Sequence, residues 1–391
     1  MIDFTFFSNP RLLFGPGKFK LLPELIRQYG KNVLFITGAE SFLSSDHWAT
    51  LTHTLEKQRI AFSQTSIKGE PTPAMVDGIV QNFCNLPVNV IVSIGGGSVI
   101  DAGKAVSAMM TKQLSVVEYL EDVGTQIHDG EKIPFIAIPT TSGTGSEATK
   151  NAVIRQVGKK GFKKSLRHNR FIPDIALVDP ELTVHCPPHI TAACGMDALT
   201  QLLESFVSSQ ASAMTDSLVI GALTVLGDSL INASTTEPEN IDLRTRISYA
   251  AYISGLTLAN AGLGVVHGFA SVIGGLFNIP HGAVCGTLLA QTTRHTIETL
   301  IHTDPNGVAL KKYQEAFDLL DPSGLFQTSE KESHPLVSLL NKWTDLLDMP
   351  TLGSYGVSFK DIDTIVTATG QKNNPAQLSI EQLSQILQTR L

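Results

Sequence analysis

The stretch from Val88 to Met110 constrains the fold of this chain more than any other. An apolar run, Val88-Asn-Val-Ile-Val-Ser-Ile94, leads directly into Gly95-Gly96-Gly97, and apolar residues then recur at helical spacing from Val99 onwards. A short buried strand, a glycine turn and a helix, in this order, are the components of a parallel α/β unit. The stretch therefore predicts a strand whose end opens onto the N-terminus of a helix.

The same alternation extends over the first 185 residues. Val33–Thr37 and Ile133–Ile138 are further apolar strand candidates, and Leu51–Arg59 is a helix candidate between them. Strands that alternate with helices form a parallel sheet covered on both faces. We therefore predict that residues 1–185 form an α/β, dinucleotide-binding domain.

The pattern changes after Val178-Asp-Pro-Glu-Leu182. Pro187-Pro188 marks a break, and strand signals become scarce beyond it. Helical periodicity is present in segments 192–208, 213–230, 243–261 and 311–320. Because a chain of 391 residues is too long for one typical core, we predict a second, all-α domain over residues 186–391 that carries the metal and substrate site.

Composition argues against several classes of protein. With 42% apolar residues the chain is globular, and its net charge of -7 argues against nucleic-acid binding. Four cysteines without CxxC spacing are typical of reduced thiols in the cytosol. The N-terminus lacks the pattern of a signal peptide, and no run of about 20 apolar residues occurs, so we expect a cytoplasmic protein without a membrane span.

Two loops that follow predicted strands are suited to phosphate groups. Gly96, Gly97 and Ser98 would place backbone N–H groups and a hydroxyl at a helix N-terminus, although an ordinary strand–helix turn is the plainer interpretation. The second loop, Thr140–Glu147, is rich in hydroxyls, and Gly143-Thr-Gly145-Ser-Glu-Ala148 fits the GxGxxA pattern. That match is weak, because no acidic residue follows at the expected distance.

Asp197, His267 and His281 are candidates for a metal site. Gln201 lies one helical turn after Asp197, so both side chains point the same way. We predict that His267 starts a helix and that His281 lies in a Pro-His-Gly turn. Each residue alone could equally be a buried, hydrogen-bonded core group. If they converge, an Asp and two His can hold a divalent metal, which could activate an alcohol oxygen.

Together these motifs resemble the iron-containing (group III) alcohol dehydrogenase family, which has a dehydroquinate-synthase-like fold. The matching segments are Asn9–Gly17, Gly95–Lys104, Pro139–Glu147, Val178–Leu182, Gly195–Leu199, Asn260–His267 and Pro280–Gly282. The resemblance covers nearly the whole chain. It implies an N-terminal nucleotide-binding domain, a C-terminal helical domain and an active site in the cleft between them.

The resemblance also implies roles for individual residues. Asp197, His267 and His281 match three of the four residues that hold the family's metal, and here the metal would be Fe(II) or Zn(II). The residues expected to line the cofactor are Gly96, Gly97, Ser98, Thr140, Thr141 and Thr144, with Thr149, Asn151, Lys164 and Leu182 as further candidates for its ribose and nicotinamide end. The lysine-rich stretch 159–164 is predicted to be a loop.

The chain departs from the family pattern at three positions. Gln201 stands where the family usually has the fourth metal ligand, a histidine, and would be a weak or outer ligand. Ser271 replaces a histidine that many members carry near the nicotinamide. Gly38 stands where many NAD-using members have an aspartate at the end of the first strand, so the expected cofactor is NAD or NADP, with NADP favoured.

These observations predict a metal-assisted, NAD(P)-dependent alcohol dehydrogenase or aldehyde reductase. Two alternatives stay open. A metal-independent reductase of the maleylacetate reductase type would polarise the carbonyl with His267 and His281, and a catalytically weakened protein would only bind the nucleotide. We also expect a homodimer, because Phe4–Phe7 and Arg11–Phe14 could form an exposed sheet edge.

Overall fold

A six-stranded parallel sheet forms the N-terminal half of the chain. The computed structural model describes residues 3–7, 9–158, 161–324, 326 and 334–391. The sheet has the order β1-β8-β5-β4-β2-β3, and a separate antiparallel hairpin pairs β6 with β7. The strands are β1 (Arg11–Phe14), β2 (Asn32–Gly38), β3 (Ala61–Ile67), β4 (Val90–Gly95), β5 (Phe135–Pro139), β6 (Asn151–Gln156), β7 (Phe162–Arg167) and β8 (Ile175–Val178).

Helices cover the sheet, and the chain beyond residue 185 is mainly helical. The first four are α1 (Leu22–Arg27), α2 (Asp46–Lys57), α3 (Pro73–Phe83) and α4 (Gly97–Met109). Beyond residue 185 the helices are α5 (Pro188–Val207), α6 (Ala213–Ser234), α7 (Ile241–Ala261), α8 (Val265–Leu276), α9 (His281–Thr303), α10 (Val308–Leu320), α11 (Pro335–Leu346), α12 (Ile362–Ala368) and α13 (Ile380–Gln388).

Both faces of the parallel sheet are buried, which explains the continuous apolar runs in its strands. Along β2, Leu34 and Ile36 lie on the face of the sheet that α3 and α4 cover. Val33 and Phe35 alternate with them and pack against α1 and α2 on the other face. Full burial of one such side chain contributes about 2 kcal/mol, and successive side chains of a strand point to opposite faces.

The strand order of the sheet reverses at β2. From β2 the chain passes to β3 on one side, and β4 then returns to the other side of β2. Ligands of open parallel sheets bind outside the carboxyl ends of the strands at such a switch point. Gly38 and Gly95 end β2 and β4, so both lie at this edge.

Helix α5 lies at the centre of the helical half, where it packs against α6, α7 and α9. Among the described residues, α6 is apolar and long enough to cross a membrane by length and composition, and α7 with α8 passes the same test as a pair bent by 98°. In this structure α6 packs against α5, α7 and α10. The buried side chains of α6 thus form part of the core of the helical half.

The predicted α/β half followed by a helical half is confirmed, and so are the strands at 33–37, 88–94 and 133–138 to within two residues at either end. Two local predictions were wrong. Lys163 and Lys164 lie in β7 and not in a loop, while Lys159 and Lys160 lie outside the described residues. His281 is the first residue of α9 and not part of a turn, because Pro280 has the backbone angles of a residue that precedes a helix.

Candidate active site

The two predicted phosphate loops are in direct contact at the carboxyl edge of the sheet. The N–H group of Thr140 donates to the Gly95 carbonyl at 3.0 Å, which joins the end of β5 to the end of β4. A Cβ atom on Gly97 would lie 2.3 Å from the Thr144 hydroxyl, so only glycine allows this approach. A Cβ atom on Gly96 would lie 3.3 Å from the Thr141 hydroxyl, so these two residues are also close neighbours. The structure thus brings Gly96, Gly97, Thr141 and Thr144 together.

The N-terminus of α4 faces this loop pair and favours an anion. Gly96 is the residue before the helix, and because glycine has no side chain, the first N–H groups of the helix lack a side-chain cap. Uncapped N–H groups and the helix dipole together attract phosphate. Ser98, in the first turn of α4, lies beside these donors.

The other cofactor candidates contact other parts of the protein. Thr149 is buried, and its hydroxyl accepts a hydrogen bond from Lys104 at 3.0 Å. The backbone carbonyl of Asn151 accepts a second bond from Lys104 at 2.8 Å. Lys164 pairs with Asp122 at 2.8 Å on the outer side of the hairpin. Leu182 packs against the apolar layer on the α1–α2 face of the sheet.

Three helices bring Asp197, His267 and His281 into one cluster. Asp197 lies on α5, His267 in the first turn of α8, and His281 at the start of α9. Oδ1 of Asp197 is 3.4 Å from Nε2 of His267 and 3.7 Å from Nε2 of His281. This convergence is the arrangement that the sequence could suggest but not establish.

Cys285 completes the cluster and was missed by the sequence analysis. It lies one turn after His281 on α9, and its sulfur is 3.8 Å from Nε2 of both His267 and His281. The ligand atoms of Asp197, His267, His281 and Cys285 all lie within 4.8 Å of one another. The spacing of four residues between His281 and Cys285 would have revealed it, had His281 been placed on a helix.

Glu204 orients His267 from a position two turns after Asp197 on α5. Its Oε2 accepts from Nδ1 of His267 at 2.7 Å, and its Oε1 accepts from the N–H of Val266 at 2.7 Å. A Cβ on Gly264 would lie 3.0 Å from Oε1, so glycine at this position lets the carboxylate reach the start of α8. With Nδ1 donating to Glu204, Nε2 of His267 faces the cluster as the atom that can bind a cation.

The buried carboxylates of the cluster favour positive charge beside them. Burial opposes ionisation of Asp197, but His281 and His267 hold the pKa of its carboxyl at about 2. Burial also disfavours protonation of His267, yet Cys285, Asp197 and Glu204 raise its pKa well above the usual value. Burial, followed by Lys163, lowers the pKa of His281 to about 4, so this imidazole is neutral as a metal ligand must be.

The surroundings of the buried Asp197 carboxylate show whether the residues present fit a metal ion. Oδ1 is buried and has no hydrogen-bond partner among the residues that the structure describes. A buried charge is costly unless something compensates it. Because two imidazole nitrogens and a thiol lie near this carboxylate oxygen, the residues present fit a divalent transition metal.

Two of the three positions where the chain departs from the family pattern contact other groups. Oε1 of Gln201 accepts a hydrogen bond from the Ser254 hydroxyl on α7 at 2.8 Å. The Ser271 hydroxyl donates to the Lys163 carbonyl at 3.2 Å. The assignment of Gln201 as a weak or outer metal ligand stays a prediction. Cys285, which was not predicted, lies among the candidate ligands.

The phosphate loops and the cluster are joined through α5 and β7. A Cβ on Gly143 would lie 2.7 Å from Cβ of Cys194, which precedes Asp197 by three residues on α5. Nζ of Lys163 on β7 is 3.4 Å from Nδ1 of His281 and 2.9 Å from Glu70. The second phosphate loop therefore packs against the helix that carries Asp197.

Comparison with known proteins identifies the family. The sequence pattern of the iron-containing alcohol dehydrogenases matches residues 9–180, and that of the C-terminal part of the Fe-containing alcohol dehydrogenase family matches residues 191–391. The alcohol dehydrogenase from Oenococcus oeni is 26% identical and superimposes with a TM-score of 0.84, covering 100% of both chains. This likeness agrees with the expected dehydroquinate-synthase-like fold.

Two relatives match nearly the full length. The NAD-dependent methanol dehydrogenase of Bacillus methanolicus is 31% identical over 99% of this chain and 100% of its own length. The NADPH-dependent butanol dehydrogenase of Clostridium saccharobutylicum is 29% identical over 98% of this chain and 97% of its own length. The chain belongs to the iron-containing alcohol dehydrogenase family and is an oxidoreductase of the alcohol dehydrogenase type.

Proposed function

We propose that the protein transfers hydride between a nicotinamide cofactor, NAD(P)H, and a small alcohol or aldehyde with the help of a divalent metal. Asp197, His267 and His281 would hold the metal, which would be Fe(II) or Zn(II). The observation that carries this proposal is the buried Oδ1 of Asp197, which lacks a hydrogen-bond partner among the described residues and faces two imidazole nitrogens. When bound, the metal would act as a Lewis acid that polarises the substrate oxygen.

The side chains around the cluster prepare the site for this chemistry. Glu204 holds His267 in the orientation that turns Nε2 inward. The imidazole of His281 is 25% exposed while Asp197 is 1% exposed, so access to the cluster is from the His281 side. We propose that the substrate enters there and that the nicotinamide lies between this opening and the loop that contacts α5.

The phosphates of the cofactor would occupy the N-terminus of α4. Gly96, Gly97 and Ser98 would supply backbone and hydroxyl donors, and Thr140, Thr141 and Thr144 would face them from the second loop. The close contact between the two loops supports this arrangement. Thr149, Asn151, Lys164 and Leu182 stay weaker candidates, because the first three have other partners and Leu182 packs into an apolar layer.

We favour NADP over NAD, although one relative is named for each cofactor. Gly38 presents no carboxylate at the end of β2, so nothing at this position repels a 2′-phosphate. Ile67 on β3 is the register partner of Gly38, and the exposed Lys68 follows it directly. A lysine beside this strand end could provide the positive charge that a 2′-phosphate requires.

Gly38→Asp should shift the cofactor preference from NADPH to NADH. A carboxylate at the strand end would repel the 2′-phosphate, and a Cβ at Gly38 would meet no atom nearer than Val99 Cγ2 at 4.0 Å. We expect the ratio of kcat/KM for NADPH to that for NADH to fall about 10- to 100-fold. Gly38→Asn is the uncharged control, and an equal fall in this variant would refute repulsion as the cause.

The function itself is tested by steady-state assays with a panel of alcohols and aldehydes. We expect NADPH-dependent turnover of at least one aldehyde, its loss after prolonged chelation, and its recovery with Fe(II) or Zn(II). Activity that survives chelation would favour the metal-independent reductase. Tight NADPH binding without turnover of any substrate would instead support a protein that only binds the nucleotide.

We further propose that residues 1–185 and 186–391 are the two domains, because strands end with β8 and long helices begin with α5. A homodimer and a cytoplasmic location also stay proposals. β1 lies at one edge of the sheet, where its outer side is available to a second copy of the chain. The cysteine content supports a reducing compartment.

A further inference from the structure

We propose that Cys285 is the fourth protein ligand of the metal, so that the site consists of one carboxylate, two imidazoles and one thiolate. This inference rests on the proposed function, since it assigns a residue to the metal site proposed above. It replaces the expected role of Gln201. It also predicts a site that prefers Zn(II) and Co(II) over hard cations, because thiolates are soft ligands.

Four distances within the cluster are close to those between neighbouring ligands of one metal ion. With Zn–N bonds of about 2.0 Å and a Zn–S bond of about 2.3 Å, neighbouring ligand atoms lie about 3.3 Å apart, or about 3.6 Å where sulfur is one of them. Here the carboxylate oxygen is 3.4 and 3.7 Å from the two imidazole nitrogens. The sulfur is 3.8 Å from each nitrogen.

Hydrogen bonding alone leaves one buried atom of this cluster without a partner. The sulfur of Cys285 lies at the same distance from Nε2 of His267 and of His281, and as a thiol it could donate to one imidazole and accept from the other. The buried Oδ1 of Asp197 beside them still has no hydrogen-bond partner within the described part of the chain. A cation at the centre would satisfy all four atoms at once.

The position of Gln201 explains why a different ligand is needed. Gln201 follows Asp197 by one turn on α5, where an imidazole could join the cluster. Instead, its amide oxygen accepts the hydrogen bond from Ser254, which directs this side chain toward α7. Cys285 joins the cluster from α9 and restores the number of side-chain ligands to four.

Titration of the full-length, metal-free protein with Co(II) tests the inference by absorption spectroscopy. A thiolate bound to Co(II) gives a charge-transfer absorption in the near ultraviolet, whereas oxygen and nitrogen ligands do not. We expect this band in the wild type, with saturation at one ion per chain. Cys285→Ser should lose the band and bind Co(II) at least about 10-fold more weakly, while its affinity for NADPH stays unchanged.

Cys194→Ser is the matched control, because Cys194 lies on α5 and its thiol is outside the cluster. This variant should keep the band. A wild-type Co(II) complex without the band, or a band that persists in Cys285→Ser, would overturn the inference while leaving the proposed function intact. Absence of any bound Co(II) would overturn both the inference and the metal site. A band without turnover of any alcohol or aldehyde would support the inference and contradict only the proposed function.

Discussion

His267→Ala and His281→Ala should each lose catalytic turnover by about 10³-fold or more while they bind NADPH with nearly the wild-type dissociation constant. Lewis-acid activation contributes several kcal/mol to such a reaction, and each 1.4 kcal/mol corresponds to a factor of ten in rate. Both imidazoles point Nε2 at the same carboxylate oxygen of Asp197, so removing either would disrupt the metal site. Steady-state kinetics and a nucleotide-binding titration measure the two effects separately.

Two further observations make this prediction specific. His281 is 25% exposed, so its replacement should disturb packing less than that of His267, whose ring contacts Glu204 at 2.7 Å. His302→Ala is the matched control, because His302 is exposed near the end of α9. Wild-type turnover in a folded His281→Ala variant would contradict the assignment of the site, and so would an equal loss in His302→Ala.

Gly96→Asp should have the opposite effect, with nucleotide binding lost and metal binding kept. The aspartate would place a carboxylate at the N-terminus of α4, where the cofactor phosphates are proposed to bind. Repulsion between like charges at close range costs several kcal/mol, so we expect the dissociation constant of NADPH to rise by about 100-fold or more. Isothermal titration with NADPH and elemental analysis of the same preparation measure both properties.

The fold should tolerate this substitution. Gly96 has φ of −71° and precedes the first residue of α4, a position at which Asp and Asn are favoured. A Cβ there would lie 3.3 Å from the hydroxyl of Thr141, a side chain that can rotate away. Gly96→Asn has the same shape without the charge and should bind NADPH far better than Gly96→Asp. Equal affinities in these two variants would mean that no phosphate lies at this helix.

The opposing effects of the histidine substitutions and of Gly96→Asp would reflect the division of the site between the two halves of the chain. The phosphate loops belong to the ends of β4 and β5, whereas the metal cluster belongs to α5, α8 and α9. The halves meet where Gly143 lies against Cys194 on α5. Each half can therefore lose its own ligand without losing the other.

The central strands β2, β4 and β5 were predictable because they are buried on both faces. β2, β4 and β5 appear as short apolar runs with glycine or proline at their ends. The β6–β7 hairpin was not predictable in this way. Its second strand contains Lys163, Lys164 and Arg167, which pair with acidic side chains and resemble a solvated loop in the sequence.

The metal cluster was only partly predictable, because three helices distant in sequence must meet to form it. Asp197, His267 and His281 stood out by residue type, and the family resemblance supported them. The involvement of Cys285 depends on the helical phase of α9. Gly282 suggested a turn, but a Cβ there would lie 2.3 Å from the Ala193 carbonyl, so this glycine serves the close approach of α9 to α5.

The number of metal ions bound per chain tests the central claim most directly. Elemental analysis would follow anaerobic purification and exposure of the wild-type protein to Fe(II) and Zn(II), with His281→Ala treated in parallel. We predict close to one tightly held ion in the wild type and far less in the variant. A folded wild-type protein that binds NADPH but retains no metal would contradict a metal-assisted dehydrogenase.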